Sequence, residues 1–167
     1  MDDLRKKIDE GENWYQKLIE KIPGFAGYFE REKRRTADKL LRDYLANRLR
    51  NSKDALMKYA NVLFKAHDFD AINELNDLVK EFQIVIDKIQ YSPHGYSGFF
   101  GAIKVDTPEL DRLYNIDATL VSLIEETENF LKDESKSPKE KIAFVKSELE
   151  KFKEKITERE NALSGIK

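Results

Sequence analysis

Seven residues near the C-terminus constrain this chain most. Ile142, Val145, Leu149, Phe152, Ile156, Arg159 and Leu163 step three, four, three, four along the sequence. Only an α-helix brings that spacing onto one face, and as a heptad seam it demands a facing partner helix. Just before it stands Ser137-Pro138-Lys139-Glu140. A Ser hydroxyl there accepts from an orphan amide of the first turn, and Pro fits the first helical position because its missing N–H has no intrahelical use. The seam is about three heptads long. Two readings follow: packing on the chain's own helices, or self-association through this fifth helix.

The same period recurs upstream. Leu4, Ile8, Tyr15, Leu18 and Ile22 trace a first helix over about 3–22, which Pro23-Gly24 stops. A second face, Leu41, Tyr44, Leu45, Leu49, Leu56, Tyr59 and Leu63, predicts one long central helix from near Tyr28 to about Lys65. Ser52 sits in that row, and the polar stretch Arg50-Asn51-Ser52-Lys53 leaves a break there open. Ile72, Leu75, Val79, Phe82, Ile86 and Ile89 mark a third helix over about 69–90, with Asp68 or Asp70 as its cap. A fourth follows Thr107-Pro108-Glu109, its face carrying Leu110, Leu113, Asp117, Leu120, Ile124, Thr127 and Leu131. The expected fold is all-α: an elongated antiparallel bundle of four to five helices, one long central helix, and one long Gly/aromatic loop over 91–106. At 167 residues the chain is read as a single helical-bundle domain over 1–167.

Two hexapeptides interrupt the helical text. Gly24-Phe25-Ala26-Gly27-Tyr28-Phe29 returns as Gly95-Tyr96-Ser97-Gly98-Phe99-Phe100. Both read Gly-aromatic-small-Gly-aromatic-Phe. If consecutive helices are antiparallel and the second is continuous, both hexapeptides lie at one pole of the bundle. The run Arg31-Glu32-Lys33-Arg34-Arg35 begins just below and makes that pole locally basic. Two roles stay open for the aromatics: plugging the end of the core, or presenting a binding surface.

Charge patterning narrows the partner class. Charged residues are 37% of the chain, yet the net charge is only −2. Residues 28–53 carry a net of +5 and residues 106–134 a net of −7, so these segments are expected to be neighbours that compensate each other. The basic side chains of 28–53 spread around a helix and are interrupted by acids, which argues against a nucleic-acid stripe. The chain has no cysteine, which excludes disulfides, thiolate chemistry and Cys-based metal sites and suits a cytoplasmic location. No apolar run behind Met1-Asp2-Asp3 resembles a secretory signal, and no stretch nears the roughly 18 apolar residues of a membrane span.

Motifs that carry chemistry are weak. Gly95-x-x-Gly98-x-x-Gly101 lacks the Gly-Lys-Ser/Thr of a phosphate loop. His67, Asp68, Asp70 and Glu74 form a local set that would need ligands from another helix, such as Glu125 or Glu128, to hold a metal. His94 has Ser92 and Ser97 nearby but no nucleophile elbow. The sequence therefore points to no catalytic residue, no cofactor and no metal. It points to a non-enzymatic interaction or scaffold protein that binds a protein partner or itself. Phe25, Tyr28, Phe29, Tyr96, Phe99 and Phe100 are the expected apolar anchors, and Arg31, Arg34 and Arg35 the steering charges. The alternative is peripheral binding to anionic membrane, or less readily nucleic acid, through the same pole.

Overall fold

A computed structural model describes residues 14–91 and 108–164. Among these residues the fold is all-α, without strands. Helix α1 is seen over residues 14–21. A 3-10 turn, Arg31–Lys33, leads into α2, Arg34–Met57. Then come α3, Ala60–Lys65, and α4, Phe69–Gln90. The last two are α5, Pro108–Lys132, and α6, Pro138–Leu163. No described helix is long and apolar enough to cross a membrane.

The described residues fall into two compact units. Residues 14–44, 108–121 and 155–164 make the first; residues 45–91 and 122–154 make the second. Helices α2, α5 and α6 contribute residues to both.

The core of the first unit gathers Leu18, Ile22, Leu41, Leu110, Leu113 and Leu163, all nearly inaccessible to solvent. In the second, Leu56, Leu75, Phe82, Ile86, Val145 and Phe152 do the same. Every residue of the expected α5 row is buried, and so is every residue of the α6 seam. The seam is thus consumed inside the chain's own bundle. Within the second unit, Arg50 donates to Gln90, and Lys53 to Gln83 at 2.8 Å, which makes α2 antiparallel to α4. Lys139 meets Asp68 at 3.4 Å and Lys153 meets Glu81 at 3.2 Å, which makes α4 parallel to α6. An up-and-down order requires both.

Helix ends follow local chemistry. Ser137 Oγ accepts from the Glu140 amide at 3.2 Å and starts α6. Asp68 accepts from the Ala71 amide at 3.2 Å and starts α4. Between α3 and α4 the chain closes a Schellman turn: the Asp68 amide donates to the Leu63 carbonyl and the His67 amide to that of Phe64, both at 3.0 Å. His67 takes the left-handed position, φ 55°, that glycine usually fills.

The long central helix needs correction at both ends. It passes through Ser52 unbroken, but it starts at Arg34 rather than near Tyr28 and is interrupted at Lys58 and Tyr59. At the start, tertiary bonds claim the backbone of Tyr28: its amide donates to the Tyr114 hydroxyl and its carbonyl accepts from Arg34 Nε. At the interruption the Tyr59 amide donates to Leu56, a tightened turn. Lys141 Nζ there donates to the Tyr59 hydroxyl at 2.9 Å. Of the expected charge compensation between 28–53 and 106–134, Arg48 and Glu128 supply a direct pair at 2.9 Å.

Candidate functional site

The first hexapeptide turns inward. Phe25 is 4% exposed and Tyr28 is fully buried, while Phe29 is half-buried. Tyr114 of α5 is the hub for Tyr28 and Phe29. Its ring lies 4.7 Å from Trp14, 5.1 Å from Tyr28 and 5.3 Å from Phe29, centroid to centroid. Tyr15 adds an edge-on contact to the Tyr114 ring at 5.5 Å, an arrangement that suits the ring quadrupoles. Gly27 lets the chain pass this hub. It has φ +86°, and a Cβ there would stand 2.6 Å from the Tyr114 hydroxyl and 2.8 Å from the Tyr15 ring.

Behind the aromatics is a buried charge network. Arg159 of α6 reaches Asp117 of α5 through Nε at 2.7 Å and Asp38 of α2 through Nη2 at 2.7 Å. The Tyr28 hydroxyl donates to Asp117 Oδ2 at 2.6 Å. Arg42 completes the balance from the rim, donating to Asp38 Oδ2 at 2.9 Å. Two cations therefore face two carboxylates. Burial pushes the Asp117 carboxyl up, and Arg159 and Tyr28 pull it partly back. Burial works against the Arg159 charge, but Asp117 and then Asp38 outweigh it and hold the guanidinium protonated. Burial also raises the Tyr28 and Tyr114 phenols well above the ordinary tyrosine range. Arg159, Asp117 and Tyr28 are shut away from solvent, and the network holds three helices and a loop together.

The expected site residues separate accordingly. Phe25, Tyr28 and Arg34 are core residues, which removes them from any surface. Arg31 and Arg35 are exposed. Tyr96, Phe99 and Phe100 lie outside the described residues, as does His94, so the expected meeting of the two hexapeptides is not described. Tyr28 and Phe29 pack on Tyr114, and Phe25 packs edge to face on Tyr28 at 5.5 Å. Of the metal set, Asp68 serves as a helix cap and pairs with Lys139, and His67 is exposed. Among the described residues no group of three or more His, Cys, Asp or Glu could hold a metal ion.

A different surface carries exposed apolar side chains. Around the α2–α3–α4 turn, Met57 is 50% exposed, Val62 52%, Phe64 63% and Phe69 54%. Phe64 and Phe69 meet edge to face at 6.2 Å, and His67 lies 6.1 Å from Phe69. A signal for this patch existed in the sequence. Val62 and Phe64 flank Leu63 and so lie off the Leu56–Tyr59–Leu63 row that faces the core.

Comparison with protein-family models, curated proteins and solved structures finds no match to this chain.

Proposed function

We propose that this chain is a non-enzymatic, cytoplasmic interaction protein whose partner-facing surface, within the described residues, is the α2–α3–α4 turn. The observation that carries the reading is four large apolar side chains, Met57, Val62, Phe64 and Phe69, each half exposed or more within 13 residues. Clustered apolar exposure of this kind marks interaction sites, and aromatic side chains are favoured anchors there. The heptad seam of α6 is buried, which favours this turn over the seam as the binding face. Lys58, Lys65 and Lys139, the last of which pairs with Asp68, are largely offset by Asp68 and Asp70. That balance favours a protein partner over an anionic membrane, which is drawn to clustered lysine and arginine.

The test places a photo-reactive residue at position 64 in cells, with a control at Lys146, which is also exposed. A protein crosslink specific to position 64, lost in a Phe69→Ser background, is the expected result. Crosslinks equal at both positions would overturn the reading. Salt-sensitive flotation with anionic vesicles, lost in Phe64→Ser, would replace it with the membrane alternative.

A further inference from the structure

The second unit contains a small, partly open cavity of about 10 Å³ between α2, α4, α5 and α6. Its walls include Leu49, Phe82, Ile124 and Phe152. Two polar side chains interrupt them, Thr127 and Glu148. Glu148 is 3% exposed. Its Oε1 accepts from Lys151 Nζ at 2.8 Å, which points Lys151 back along α6. Its Oε2 is buried and, among the described residues, has no donor. Thr127 uses its hydroxyl proton on the Leu123 carbonyl at 2.8 Å, so Oγ1 is left with lone pairs only.

A carboxylate oxygen shut in an apolar interior without a donor costs far more than a satisfied one. A cavity on this scale fits one water and nothing larger, and a water has two protons to give. We propose that this cavity is a hydration site for one ordered water, which donates to Glu148 Oε2 and to Thr127 Oγ1. The water completes the carboxylate's shell and ties α5 to α6. This inference is independent of the partner surface proposed above.

A crystal structure of the full chain, at a resolution that shows solvent, tests it directly. The expected density is a single water within hydrogen-bonding distance of Glu148 Oε2 and Thr127 Oγ1. Magnetic relaxation dispersion of water oxygen should count one fewer long-lived internal water in Glu148→Met than in the parent. Should Glu148→Met fail to fold, Thr127→Val offers the same comparison, with a shorter residence time expected. An empty cavity, a Glu148 carboxylate turned out to bulk solvent, or density for any group other than water would overturn the proposal.

Discussion

Arg159 Nε lies 2.7 Å from Asp117 Oδ1, with both side chains buried, and the pair joins α6 to α5 inside the first unit. A second carboxylate, Asp38 of α2, sits on the other arm of the same guanidinium. Coulomb attraction in such a site is large, but removing these ions from water costs a comparable amount. The network is therefore better understood as a device that specifies which helix faces which. A one-position slip of α6 would bring Glu158 or Glu160 to the place of Arg159, facing two carboxylates.

Replacing only the arginine exposes this balance. Arg159→Met should destabilise the protein by about 3–5 kcal/mol, because two buried carboxylates lose their shared cation. The triple variant Arg159→Met, Asp117→Leu, Asp38→Leu should recover part of that loss, less the cost of the Tyr28 hydroxyl left without its Asp117 acceptor. Urea unfolding followed by helical circular dichroism measures both. A triple variant as unstable as the single one would show that the network's hydrogen bonds themselves dominate.

Gly27 and Gly24 should differ although both are left-handed. Gly24 has φ +80°, and a Cβ there would find Leu40 Cδ1 at an ordinary 3.6 Å. Gly24→Ala should then lose only the backbone preference, about 1–2 kcal/mol. Gly27→Ala adds a collision with the Tyr114 hydroxyl and the Tyr15 ring. Its cost should exceed that of Gly24→Ala, and near-ultraviolet circular dichroism should change as the aromatic cluster moves. Equal melting temperatures for the two variants would contradict this account.

The same residues show what a sequence reveals. The start of α6 was legible because Ser137 and Pro138 act within a single turn, and its buried face because periodicity is local. Asp117 and Arg159 were visible as charged members of apolar rows, but nothing local says that they meet, 42 residues apart. Tyr28 was harder. Its burial and the late start of α2 depend on Tyr114, 86 residues away. The interruption at Lys58 and Tyr59 was hidden because Leu56, Tyr59 and Leu63 keep helical phase across it. Phe64 could have been noticed, since it sits off that phase.

Alkaline pH should unfold the first unit's aromatic core cooperatively. Tyr28 and Tyr114 have phenols raised above their ordinary value of about 10, chiefly by burial. The folded state therefore keeps protons that the unfolded state releases. Stability is fully present below about pH 10 and is lost as pH rises further, because the unfolded chain binds fewer protons there. Tyrosinate absorbance should show a late step coincident with loss of helical signal. Tyr114→Phe should flatten this alkaline decline while costing about 1–3 kcal/mol at neutral pH, since the Tyr28 amide loses its acceptor. A late tyrosinate step without loss of helix would contradict the linkage.

Ser52 offers a gain rather than a loss. It is 3% exposed in the middle of α2, and among the described residues its hydroxyl has no hydrogen-bond partner. A buried hydroxyl without a partner costs about 1–3 kcal/mol relative to one that is satisfied. Serine is also a poorer helix former than alanine, by a few tenths of a kcal/mol. Ser52→Ala removes both penalties and leaves a gap of one oxygen. The expected result is stabilisation of about 1 kcal/mol, seen as a higher urea midpoint at unchanged slope. Ser52→Val, which fills the space but adds β-branching within α2, should gain less. A lower midpoint for Ser52→Ala would mean that the hydroxyl is bonded in solution, to water or to the backbone of its own helix, and that α2 depends on that bond.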